Sequence, residues 1–150
     1  MGMRFLLVIL PSALLLTACD TFSHIRRDDD NLTSFPPGSC IEKVLKTTSG
    51  VEFRSHETSE TKKWFGHDND YVPIQYYNYS IIADSHKFPA TILLDTDKDR
   101  KIKYSNGYSR VGRHLTEVEK QVIPPALSKV DTEIGKACGI KINSALHLDE

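Results

Sequence analysis

The stretch TEVEKQVIPPALSKVDTEIGKACG, residues 116–139, decides the fold of this chain. It opens with Thr116-Glu117-Val118-Glu119, a capping-box pattern in which a hydroxyl and a carboxylate three residues apart satisfy free backbone amides of the first turn. Val118, Val122, Ile123, Ala126, Leu127, Val130, Ile134, Ala137 and Cys138 then recur at helical spacing, a stripe that faces a core. Pro124 and Pro125 each remove a backbone donor and disfavour helix in the residue before them. The pattern therefore predicts a short helix to about 122 and a longer one from about 125 to 138, with Gly139 as the C-cap.

Upstream, Ser39-Cys40-Ile41-Glu42 reads as a second capping box, followed by Val44 and Leu45 at helical spacing and a stop at Gly50. A short helix over about 40–48 follows. Val51 to His56 alternates as a strand does. Residues 57–72 are polar around Trp64-Phe65 and read as a long loop or an irregular hairpin. Ile74 to Ala83 is dense in Tyr and Ile, which suit strands. Asp84 to Lys87 is a turn, Phe88 to Leu94 the next strand, and Asp95 to Arg100 another turn. Lys101 to Tyr104 is a strand. Asn106-Gly107 then makes either a hairpin returning over Tyr108 to Val111 or a bulge in one continuing strand. The fold class is α+β: an antiparallel sheet of three to five strands, covered on one face by an N-terminal and a C-terminal helix.

The N-terminus carries a different kind of signal. Arg4 precedes an apolar run from Phe5 to Leu16, interrupted by Pro11 and Ser12. The run is too short for the roughly 20 residues that a membrane-crossing helix needs, and it matches the hydrophobic region of a secretory signal. It ends in Leu15-Leu16-Thr17-Ala18-Cys19, which resembles the lipobox of bacterial lipoproteins. The globular part resembles no family. The lipobox implies that residues 1–18 are a cleaved signal peptide and that the Cys19 thiol carries a diacylglyceryl group. It also implies two or three acyl chains on the mature protein, enough for stable anchoring where one chain is marginal. The location implied is periplasmic and membrane-tethered. Asp20 directly after the cysteine favours the inner membrane, with the outer membrane as the alternative.

On that reading, residues 19–38 are the lipidated cysteine and a flexible tether, rich in Arg, Asp and Pro and poor in periodic apolar positions. Such a coil would span about 25 Å. Residues 39–142 form the single domain and 143–150 a C-terminal tail. With Cys19 acylated, Cys40 and Cys138 remain, and an oxidising compartment favours their pairing; two buried free thiols are the alternative. The bridge would join the two helices.

The chemistry-bearing residues are sparse. Lys and Arg number 19 against 20 Asp and Glu, and removing residues 1–18 leaves 18 against 20. No basic excess points to nucleic acid. Asp95, Asp97 and Asp99 alternate in a turn as calcium ligands do. The calcium-loop pattern would then want glycine and glutamate where Arg100 and Asn106 stand. A calcium- or metal-dependent enzyme or ligand-binding protein built on these aspartates is the alternative reading. His67, Asp68 and Asp70 cluster in a polar stretch, with no ligand spacing that demands a metal. There is no nucleophile elbow, and Ser105 and Ser109 merely flank the Asn106-Gly107 pair. No catalysis and no cofactor are expected.

The aromatics point elsewhere. Trp64, Phe65, Tyr71, Tyr77 and Tyr79 fall on the sheet or its entrance loop, where an uncovered sheet face would present them to a protein. The reading is a non-catalytic protein-binding module of the cell envelope, of the inhibitor or immunity type or an accessory to an envelope or secretion complex.

Overall fold

The computed structural model describes residues 21–150. The lipobox, Cys19 and Asp20 lie outside the described residues. The architecture is α+β, with a six-stranded antiparallel sheet and two helices on one of its faces. In chain order the elements are β1 (Phe22–Leu32), α1 (Gly38–Thr47), β2 (Val51–Trp64), β3 (Asn69–Ala83), β4 (His86–Thr96), β5 (Ile102–Val111), α2 (Glu117–Cys138) and β6 (Ala145–Asp149). The sheet order is β2-β3-β4-β5-β1-β6.

Helix α2 is one uninterrupted helix, not the two pieces that Pro124-Pro125 suggest. The prolines strip amide partners from the carbonyls of Lys120 and Gln121, residues that are half-buried and exposed, where water can replace the missing donors. Against that loss stands the buried stripe Ile123, Leu127, Val130 and Ile134, each 0% exposed. Its packing on the sheet keeps the helix continuous through the break. The Thr116–Glu119 capping box is present, and Gly139 closes the helix in the left-handed conformation (φ 64°).

Helix α1 starts at Gly38 with Pro37 as its N-cap, so Ser39 lies inside the helix and its predicted capping box does not form. Its buried face is Ile41, Val44 and Leu45. The Cys40–Cys138 disulfide joins the start of α1 to the end of α2, with Cα atoms 5.7 Å apart.

Two corrections enlarge the domain. The expected tether over 19–38 is overturned for its described part: Phe22–Leu32 is a strand inserted between β5 and β6, and Ile25 is fully buried in the core. Nor is 143–150 a free tail, because Ala145–Asp149 pairs with β1, His24 opposite Asp149 and Asp28 opposite Ala145. These two strands raise the count from the expected three to five to six.

The remaining elements lengthen. Residues 57–72 continue β2 and β3 as one long hairpin, with Trp64 opposite Asn69. The Asp84-Ser85 turn has both residues at positive φ (47° and 64°), the geometry that matches strand twist in a two-residue hairpin. Asn106-Gly107 is no turn, for β5 runs unbroken from Ile102 to Val111. Asn106 is buried in a polar network, and Gly107 gives β1 room: a Cβ there would meet the Arg26 Cβ at 2.9 Å.

Candidate functional site

Strand β4 accompanies β3 only as far as Gln75, opposite Leu94. Residues 69–74 and their β2 partners therefore overhang the sheet, by about 20 Å at 3.3 Å per residue. Directly paired residues share a face, as do residues two apart in one strand. Lys62 is opposite Tyr71 and two residues from Trp64, so Trp64 and Tyr71 lie on the same face of the overhang. They are 58% and 64% exposed.

The other face of the overhang is braced. Phe65 is buried beneath the Arg100 guanidinium, 4.1 Å from its ring centroid, and its amide donates to the Asp68 carbonyl (2.9 Å). Arg100 also meets the Asp70 carboxylate at 3.3 Å. The Lys63 ammonium donates to the Asp95 carboxylate and to the Thr96 carbonyl. The β4–β5 turn thus grips the hairpin from one side and leaves Trp64 and Tyr71 free on the other.

That grip also engages the aspartates expected as calcium ligands. Asp95 is taken by Lys63 and by the Thr96 amide. Asp97 accepts from the amides of Asp99 (2.8 Å) and Lys101 (2.9 Å), which hold its carboxyl below the usual range. The aspartates shape the turn, and among the described residues no group of His, Cys, Asp and Glu is arranged to hold a metal ion. His67, Asp68 and Asp70 gather no further histidine. Asp68 and Asp70 accept from the amides that follow them, and His56 instead stacks on Tyr77 with centroids 4.2 Å apart.

Tyr77 and Tyr79 do not belong to an exposed face. They are 0% and 1% exposed, on the side that the helices cover. The period-two alternation of β3 turns them inward with Ile81, and turns Tyr76 and Asn78 outward. Tyr104 and Tyr108 are buried on the same inner side. Burial pushes Tyr77 and Tyr108 up to about 12 and raises Tyr79 and Tyr104 far more, so all four remain protonated donors.

Three of those donors serve two carboxylate knots that the sequence reading missed. Asp131 accepts from Tyr104 (2.5 Å), Asn106 (2.8 Å), Ser144 (2.7 Å) and Arg27 (3.1 Å), and Asn106 in turn accepts from Tyr79 (2.6 Å). Glu119 accepts from Tyr108, from both Arg113 terminal nitrogens (2.6 and 2.8 Å) and from the Thr116 amide (2.7 Å). The Arg113 contacts hold the Glu119 carboxyl well below the usual range. Both oxygens of each carboxylate are occupied, which suits fastening α2 to the sheet rather than proton transfer. The available signal was positional: residues 119, 123, 127, 131 and 134 trace one stripe of α2, and a carboxylate inside an apolar stripe calls for buried donors opposite.

The open sheet face carries two shallow hollows, of about 670 and 450 Å³, over β1, β5 and β4. Charges in the larger hollow are mutually paired, Arg26 with Asp28 (2.7 Å) and Lys103 with Asp30 (3.8 Å). The smaller is lined in part by Phe22, Tyr76 and Pro89. Among the described residues no helix is long and apolar enough to cross a membrane. Comparison with protein-family models, with curated proteins and with solved structures returns no match.

Proposed function

We propose that this chain is a lipid-anchored, non-catalytic protein-binding module of the bacterial envelope, held at the membrane through Cys19. The partner is taken at the β2–β3 overhang. The observation that carries the reading is the pairing of two large exposed aromatics, Trp64 and Tyr71, on one face of a hairpin whose other face is braced by Phe65, Arg100 and Lys63. Aromatics with few rotatable bonds on an already ordered element are what interface hot spots use, because little entropy is lost on binding. An inhibitor or immunity protein fits this arrangement, as does an accessory of a secretion or envelope complex. The lipobox resemblance supports a periplasmic site, at the inner membrane by Asp20 and otherwise at the outer.

The test is crosslinking in cells that carry the native chain or a Trp64→Ala/Tyr71→Ala double variant, followed by identification of the captured protein. The reading expects one envelope protein captured by the native chain and lost from the variant, with membrane fractionation and Tm unchanged. Equal capture by both chains would remove the overhang as the site.

A further inference from the structure

We infer that the end of the sheet opposite the overhang seats directly on the lipid bilayer, through the apolar side chains Phe22, Val111, Ile82 and Val118. The inference rests on acylation of Cys19 and goes beyond it, because an acyl anchor on a long tether would leave the domain free to tumble. The tether is not long. Phe22 is already the first residue of β1, opposite Val111, and the Thr21 carbonyl is fixed by the Gly112 amide at 2.7 Å. Asp20 and Thr21 alone separate Phe22 from Cys19. Three Cα–Cα steps reach at most about 11 Å. An acylated Cys19 sits at the headgroup level, so this end of the sheet must lie against the same headgroups.

The surface there has the matching chemistry. Phe22 is 56% exposed, Val111 64%, Val118 53% and Ile82 40%. Phe22 and Val111 are a directly opposed pair, Ile82 lies one residue before the end of β3, and Val118 is in the first turn of α2. Four of the eight large apolar side chains exposed among the described residues thus gather where the chain leaves for its anchor.

The arginines and lysines around them are paired within the protein. Arg110 and Arg113 both reach Glu119, and Lys120 meets Glu117 and Glu150. Among the described residues no unpaired cluster of cations lies at this end, so seating would depend on burying apolar surface in the interface and not on attraction to anionic lipid. Strand β3 runs from this end to the overhang over 15 residues, roughly 45 Å at 3.3 Å per residue. Seating would therefore hold Trp64 and Tyr71 away from the bilayer at a set height.

The experiment uses the acylated full chain in phosphatidylcholine vesicles, with and without phosphatidylglycerol, and with a bromine-labelled phosphatidylcholine as quencher. Trp64→Phe combined with Phe22→Trp, or with Val111→Trp, places a single tryptophan at the proposed contact, while the native chain reports from Trp64. Intact mass and vesicle flotation report acylation and anchoring separately. The inference expects both introduced tryptophans to be quenched, equally with and without phosphatidylglycerol, and Trp64 to be unquenched. A chain that is acylated and floats but whose introduced tryptophans escape quenching overturns the seating and leaves the anchor intact. A chain that is not acylated overturns both. Quenching that requires phosphatidylglycerol overturns the apolar mode. A blue shift without quenching assigns this end to a second copy or another protein and overturns the inference equally.

Discussion

The Arg100 guanidinium sits over the Phe65 ring, 4.1 Å from its centroid, and joins the β4–β5 turn to the tip of the β2–β3 hairpin. Phe65 and Trp64 are adjacent in sequence, yet one is an internal fastening and the other an exposed surface. Arg100 holds positive φ (59°) to make this contact. Arg100→Ala removes the stack and the Asp70 ion pair, a loss of about 0.5–1 kcal/mol for an exposed cation over an aromatic ring. Backbone amides of residues 63–71 should exchange faster by hydrogen exchange, while those of β4 and α2 stay as protected as before. Unchanged exchange at the tip would show that the hairpin is stiff without the brace.

The Cys40–Cys138 bridge closes a loop with a sequence separation of 98. In the chain-entropy model such a loop contributes about 4–5 kcal/mol by restricting the unfolded chain. For a domain of this size that is roughly 10–20 °C in Tm. Thermal melts with and without reductant should differ by that amount, and a Cys40→Ala/Cys138→Ala variant should melt at the reduced temperature in both conditions.

Glu119 gives the domain a specific acid sensitivity. Its folded pKa lies below its ordinary value of 4.5, held there first by Arg113. A depressed carboxyl contributes stability that is full above 4.5 and is lost as pH falls toward the folded value. Glu119→Gln should cost about 1.5–3 kcal/mol at neutral pH, as hydrogen bonds to a charged group do. It should also flatten the fall in Tm below the ordinary glutamate range. An acid limb identical to that of the native chain would show that other carboxylates control it.

Gly107→Ala tests the interior of β5. The added Cβ would stand 2.9 Å from the Arg26 Cβ, so β1 and β5 must part slightly, at about 1–3 kcal/mol as for other overpacked sites. Were Gly107 in a hairpin turn, the same change would leave the β1–β5 ladder undisturbed. Amide protection of Ile25 and Arg26 separates the two.

Deletion of residues 20–32 is the sharpest test of the corrected boundary. A flexible tether could be shortened with no effect on the fold. Removing β1 instead uncovers β5, strands β6 and leaves Asp131 without Arg27. The shortened chain should show neither a cooperative melt nor native near-UV circular dichroism.

How far each element could be read from sequence follows from where its partners lie. The helical stripes were legible, since Ile41, Val44 and Leu45, and Ile123 to Ile134, bury one face against the core, but the continuity of α2 through Pro124-Pro125 was not. Strand β1 was not, because Arg26-Arg27-Asp28-Asp29-Asp30 looks solvated when read locally. Two of those charges point inward and find partners more than a hundred residues away: Arg27 meets Asp131 and Ser144, and Asp29 takes the Asn143 amide. No window of neighbouring residues contains that information. Residues 57–72 were legible only as a choice between a long loop and an irregular hairpin, and the structure makes them a regular hairpin. The overhang has no helix over it, so neither face needs an apolar set and no alternation marks the strands. The inward Tyr77 and Tyr79 were mistaken for surface because Tyr76, Tyr77, Ile81 and Ile82 supply both faces of β3.

The placement of β1 has a consequence for how the chain becomes folded at all. Its neighbours are β5 and β6, so the first strand of the domain is completed by the last, and Asp28 waits for Ala145. Contacts of that sequence separation are slow to form, because loop closure must precede any gain from pairing. A growing or translocating chain can assemble the β2–β3–β4 meander early, and β1 can join it only once β5 (Ile102–Val111) is present. The ladder on the other side of β1 must await residues 145–149, so one edge of the first strand is covered only by the last.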